Sequence, residues 1–170
     1  MRIYLAGPLG FSEAGRAFHE REIRPRIAAL AHIALDPWAL HDAAEIAAVE
    51  RLPYGAEKRD RWRELNGRIG RANAEAIDAC DLVFAVLDGT DVDSGTAAEI
   101  GYAFARGKTI IGYRGDFRLS ADNEGSSVNL QVEYFIRASG GTIITAIGDL
   151  AGALEQSSLR RNHPGEGDSP

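Results

Sequence analysis

The sequence holds a single cysteine, Cys80, among 170 residues, so no internal disulfide is available and a disulfide-stapled scaffold is excluded. One thiol also removes the usual zinc sets, and His19, His32, His41 and His163 do not fall at metal-ligand spacing. Basic charge is in deficit: 19 Lys plus Arg against 25 Asp plus Glu give a formal net charge of −6. A phosphate-backbone binder carries a basic face, so nucleic acid is not an expected partner. No apolar run approaches the roughly 20 residues of a membrane span, and no membrane association is expected. The opening residues, Met1 to Ala6, read as a strand and lack the apolar core and cleavage site of a secretory signal, so the expected location is the cytoplasm. Internal repeats are absent. What is present is ordinary for a globular domain: 45% hydrophobic and 26% charged residues. A chain of this length forms one domain that buries roughly 70% of its unfolded surface.

Short apolar runs alternate with segments of helical period. Strands are expected at 2–6, 33–36, 81–87, 109–113 and 142–144. Helices are expected at 12–31 with Ser12 as N-cap, across most of 41–79 with a break near Pro53-Tyr54-Gly55, at 94–105 closed by Gly107, at 128–138, and briefly at 149–155. This alternation predicts an α/β fold: a doubly wound, flavodoxin-like sheet of five parallel strands in the order 2-1-3-4-5, with helices on both faces. Residues 1–156 form the expected domain. The tail 157–170, rich in Gly, Pro, Ser and charge, has little to bury and is expected to be disordered. Ligands of such sheets bind beyond the carboxyl ends of the strands, which points to the loops after Ala6, Asp36, Leu87 and Tyr113.

The segment Asp88 to Gly107 carries the densest chemistry. A buried strand runs into a loop with acids at Asp88, Asp91 and Asp93, then into a helix from Ser94. Glu99 is the only charge between Ser94 and Arg106, among Ala97, Ala98, Ile100 and Gly101. A carboxylate in so apolar a helix is paired, exposed near the helix N-terminus, or set in a cleft. By composition alone, capping or solvating the helix is the simpler role for Glu99.

Family resemblance adds to this. IYLAGP at 3–8, DVDSGTAAEIGYAFARGK at 91–108, GYRGDFR at 112–118 and VNLQVEYFI at 128–136 resemble the nucleoside 2-deoxyribosyltransferase family over roughly residues 2–147. The resemblance implies base exchange between 2′-deoxynucleosides through a covalent deoxyribosyl ester. The wider superfamily also contains N-glycoside hydrolases that pass the sugar to water, and hydrolysis of deoxynucleosides or their 5′-monophosphates is the alternative activity. A non-catalytic nucleoside-binding module is a third reading.

Carried over by position, Glu99 matches the family nucleophile and Tyr4 the tyrosine whose hydroxyl holds it. Asp93 matches the acid that accepts from a sugar hydroxyl. The monophosphate hydrolases have a hydroxyl side chain at that place, so a carboxylate there disfavours a 5′-phosphate, although Ser94 and Thr96 can form an anion site at the helix N-terminus. Asn73 matches a residue that faces the nucleobase; where relatives have Asp it can act as an acid, whereas Asn can only hydrogen-bond. Asn129 matches a residue lent across a subunit interface, which implies a homodimer or a dimer-based oligomer with shared sites. Asn123, in Asp122-Asn123-Glu124-Gly125, competes for that role and reads better as a turn residue. The loop Gly7 to Phe11 resembles the family loop bordering the pocket. Trp38 is a candidate for stacking on the base, with Trp62 and Tyr54 behind it. Residues 37–72 depart from shorter relatives and are the expected source of base preference. The expected substrates are deoxynucleosides and nucleobases, with no cofactor and no metal. The alternating charges from Glu57 to Glu64 read as a solvated helix face.

Overall fold

The alternation of side chains along each strand sets the layers. Ile3 and Leu5 turn to one face of the sheet and Tyr4 and Ala6 to the other, as do Leu82, Phe84 and Val86 against Val83 and Ala85. The computed structural model describes residues 1–162. Its strands are β1 (Arg2–Ala6), β2 (Ile33–Leu35), β3 (Leu82–Val86), β4 (Thr109–Tyr113) and β5 (Ile143–Ile144). All pair in parallel, in the order β2-β1-β3-β4-β5. This is the predicted doubly wound sheet.

One face is covered by α1 (Glu13–Phe18), α2 (Arg24–Ala29) with the turn that joins them, and α7 (Leu150–Asn162), which bring Ile23, Ile27, Leu150 and Leu154 onto Ile3, Leu5, Phe84 and Ile111. The other is covered by α4 (Ala56–Ala79), α5 (Ser94–Ala105) and α6 (Leu130–Ala138), with Ile77, Ile100, Ala103, Val132 and Ile136 packed on Tyr4, Val83, Ala85 and Ile110. A shorter helix, α3 (Ala43–Glu50), precedes α4 and packs against it. No helix among the described residues is long and apolar enough to cross a membrane.

Three local departures from the sequence pattern have physical causes. The helix expected over 12–31 does start at Ser12, whose hydroxyl accepts from the Gly15 amide at 3.0 Å. It is interrupted, however, by a π-turn at His19–Ile23. Pro25 lacks the N–H that an unbroken helix would use, and the wider turn ahead of it absorbs the mismatch. Strand β2 stops at Leu35 because Asp36 turns out of the sheet and caps the following turn through the Trp38 amide at 3.0 Å. Helix α7 extends well beyond the short helix expected at 149–155 and takes in the first six residues of the expected tail. Leu150, Ala153, Leu154 and Ser157 form one buried stripe along it, and the Ser157 hydroxyl donates to the Ala153 carbonyl at 2.9 Å. The rest of that expected tail, 163–170, lies outside the described residues.

Candidate active site

The site is built on β1 and α5, which the sheet brings side by side. Tyr4 sits in the middle of β1 with no exposed surface, because β2 and β3 flank it and α5 covers it. Helix α5 docks through Thr96, Ile100 and Ala103, all buried. That docking turns Glu99, one position before Ile100, toward the strand. The Tyr4 hydroxyl donates to Glu99 Oε1 at 2.6 Å, a charge-assisted bond between residues 95 apart in sequence. Burial raises the Glu99 pKa, the Tyr4 bond lowers it in part, and the negative charge of Asp93 raises it again; the net direction is upward. Burial and the Glu99 carboxylate push the Tyr4 phenol far up, so it stays a donor.

Glu99 opens into a cavity of about 510 Å³, within the roughly 300–1,000 Å³ of small-molecule sites. One side is polar and comes from α5 and its cap: Asp93, Gly95, Thr96 and Glu99. Asp93 is the N-cap, and its Oδ2 accepts from the Thr96 amide at 2.9 Å and the Thr96 hydroxyl at 3.1 Å. The other side is apolar and aromatic. Helix α4 supplies Trp62, Asn66, Ile69 and Asn73, and the segment after β2 supplies Trp38, His41 and Ile46. Phe11 closes this wall by meeting Trp38 edge to face, with ring centroids 4.8 Å apart.

Two glycines make the wall possible. A Cβ on Gly10 would lie 2.1 Å from the Trp38 ring, and one on Gly7 would lie 3.0 Å from Val86 Cβ. The Trp38 backbone is held from below by Asp36, which accepts its amide on one oxygen and a 2.8 Å bond from buried His19 on the other. Burial alone would raise the Asp36 pKa, but the His19 bond, the Trp38 amide and nearby Arg24 outweigh it and hold the carboxylate below its usual range. His19, Glu20 and Asp36 also form the one group among the described residues whose spacing could seat a metal ion. Arg24 is paired with both carboxylates there.

Of the residues singled out from sequence, the cavity gathers Glu99, Asp93, Asn73, Gly7 and Trp38, with Tyr4 behind Glu99. Ser94 is exposed on the first turn of α5 and does not line it; Gly95 and Thr96 do. Asn129 is the N-cap of α6, accepting from the Gln131 amide at 3.0 Å, and lies outside the cavity of its own chain. Asn123 is a turn residue, accepting from the Gly125 amide at 2.9 Å. Trp62 reaches the cavity, whereas Tyr54 is 90% exposed elsewhere.

Asp88 and Asp91 shape loops: Asp88 accepts from the Asp116 amide and Asp91 from the Val92 amide. Buried Arg114 ties the same region together, donating to the carbonyls of Leu87, Gly89 and Arg118. Asn66 and Ile69 are not among the candidates from sequence, and His41 is set aside there for want of ligand spacing. A signal for the first two exists: positions 62, 66, 69 and 73 follow a helical stripe that mixes aromatic, amide and aliphatic side chains within a charged segment.

The family model for nucleoside 2-deoxyribosyltransferases matches residues 3–131. Among solved structures, a conserved protein from Enterococcus faecalis V583 is 24% identical, covers 92% of this chain and 98% of its own, and has a TM-score of 0.66. The 2-deoxyribosyltransferase of Bacillus psychrosaccharolyticus is 20% identical, over 88% of this chain and 90% of its own, with a TM-score of 0.62. The 2-desoxiribosyltransferase of Leishmania mexicana is 22% identical, over 95% and 97%, with a TM-score of 0.60. Identities this low speak to the fold. No curated protein matches the chain.

Proposed function

Since the chain belongs to the nucleoside 2-deoxyribosyltransferase family, we propose that it moves the deoxyribosyl group of a 2′-deoxynucleoside from one nucleobase to another, with Glu99 as nucleophile. The observation that carries this reading is the Glu99 carboxylate, set at a cavity of nucleoside size and held through one oxygen by Tyr4. The other oxygen is left for the anomeric carbon. Attack there breaks the C1′–N bond, the bonding pair leaves with the base, and a deoxyribosyl ester forms on Glu99. A second base attacks the ester from the face the first one left, so two inversions give net retention. The absence of a 2′-hydroxyl helps, because that electron-withdrawing group destabilises the oxocarbenium-like transition state.

The remaining groups divide by side of the cavity. Asp93, one oxygen occupied by Thr96, uses the other to accept from a sugar hydroxyl, and its charge opposes a 5′-phosphate. Trp38, Trp62 and Phe11 cover the faces of the base, and Asn73 hydrogen-bonds its edge. Asn129, at the α6 N-terminus outside its own cavity, serves the cavity of a second copy, which makes a homodimer the functional unit.

Incubation with deoxyinosine and adenine tests the reading. Deoxyadenosine formation and a deoxyribosyl adduct on Glu99 in quenched samples are expected. Release of free deoxyribose without deoxyadenosine would replace transfer by hydrolysis, and no turnover would leave a binding module.

A further inference from the structure

Departure of a base requires a proton on one of its ring atoms, and the Glu99 mechanism does not supply one. Asn73, at the edge of the cavity, carries an amide and cannot. Asp93 is engaged as the cap of α5, and Glu99 is consumed as nucleophile. These two carboxylates, both from α5 and its cap, are the titratable groups that share the cavity with His41. Trp38, Trp62, Asn66 and Asn73 carry N–H groups that donate hydrogen bonds but do not act as acids or bases. By elimination, the imidazole of His41 is the lining group left to donate one.

The position of His41 agrees with that role. It lies just before Asp42, which caps α3 by accepting from the Ala44 amide at 2.8 Å and so fixes where the preceding residue stands. It enters the cavity from the segment that also supplies Trp38 and Ile46, on the apolar wall rather than the α5 side. Its Nε2 is buried and meets no hydrogen-bond partner among the described residues. Buried polar atoms are paired in the great majority of cases, so an orphan atom lining a cavity points to a ligand as its partner. The Asn73 Oδ1 is orphaned in the same way. Two unpaired polar atoms in one largely apolar cavity are suited to a heterocycle with polar atoms along its edge.

We propose that His41 is the proton donor to the leaving nucleobase and, in the second half-reaction, the proton acceptor from the incoming one. This rests on the glycosyl-transfer reading above. As Glu99 attacks C1′, the C1′–N bonding pair passes into the base while the Nε2–H proton of a doubly protonated His41 moves to a ring nitrogen of that base. The neutral imidazole left behind can accept. When the second base attacks the ester, its N–H proton returns to His41 and the Glu99 carboxylate is released, so the cycle closes without a further reactant.

The test compares two substrates on the wild type and on His41→Gln, with His41→Ala as a second variant and thermal melts as a check on folding. Deoxyinosine needs its base protonated; 4-nitrophenyl 2-deoxyriboside releases a phenolate that leaves without a proton. The variants are expected to lose kcat on deoxyinosine by a factor larger by about 10²-fold or more than on the nitrophenyl glycoside, the usual size of general-acid catalysis. Equal losses on both substrates would make His41 a binding or structural residue and overturn the proposal, as would undiminished turnover of deoxyinosine. A wild type that cleaves neither substrate would sink the glycosyl-transfer reading itself, and the proposal with it.

Discussion

Tyr4→Phe removes one oxygen atom and isolates what the hydroxyl does. That hydroxyl is fully buried and donates at 2.6 Å to Glu99 Oε1. A hydrogen bond to a charged group is worth about 1.5–3 kcal/mol. Its contribution lowers the Glu99 pKa against the burial and the Asp93 charge that raise it. If the whole of that energy favours the ionised form, its loss changes the ratio of carboxylate to carboxylic acid roughly 10- to 150-fold. Only the carboxylate can attack C1′. The acid limb of the pH–rate profile should therefore move to higher pH in Tyr4→Phe. Turnover at neutral pH should drop by up to that factor, with recovery as the pH is raised. Base release from deoxyinosine, followed in single turnovers across pH, reads both quantities. An acid limb that stays in place, with a rate within about twofold of wild type, would refute the claim that Tyr4 keeps Glu99 ionised.

The raised pKa of Glu99 means that the native state disfavours its ionised form relative to the unfolded chain, so ionised Glu99 costs stability above the native pKa and the cost fades as the pH falls through it. Glu99→Gln, which still accepts from Tyr4, should abolish turnover yet melt at a higher temperature than wild type at neutral pH, with the gain fading in acid; an equal or lower neutral melting point would contradict this. Gly10→Ala places a Cβ 2.1 Å from the Trp38 ring, so the indole must shift; KM for the nucleobase should rise, and unchanged KM would show that Trp38 does not cover the base. His19→Ala takes a hydrogen bond from buried Asp36 and should cost about 1–3 kcal/mol of stability, read by denaturant unfolding. Because the Asp36 pKa is lowered, the pair's contribution is present above the usual carboxylate value and lost as the pH drops below it, so the difference between wild type and variant should shrink in strong acid.

The alternation of strand and helix needed only local pattern. Ile3-Tyr4-Leu5-Ala6 and Leu82-Val83-Phe84-Ala85 are apolar on both faces because helices cover both, and such runs read as interior parallel strands wherever they occur. Glu99 stood out as the single acid in a small-residue helix, but its composition favoured a capping or solvated role, and only the family resemblance pointed to it as a nucleophile. The N-cap role of Ser12 was equally local, since it spans three residues.

Selection among chemically equivalent neighbours was not local. Asp88, Asp91 and Asp93 are alike on paper, but Asp93 alone of the three lines the cavity, because it caps the helix that docks there, while Asp88 and Asp91 accept from amides in the loops. Ser94 and Thr96 are alike as hydroxyls beside a helix start, and the rotation with which α5 docks buries Thr96 and exposes Ser94. His41 lacked any spacing that marks a ligand; its orphan nitrogen becomes visible only when α3, α4 and the Trp38 segment close around it. The sequence by itself determined the sheet, its helical cover and the one acid out of place in it. Only the tertiary structure decided which polar groups meet that acid's cavity, because those contacts join residues as far apart as Tyr4 and Glu99, and through-space packing rather than chain periodicity sets their distances.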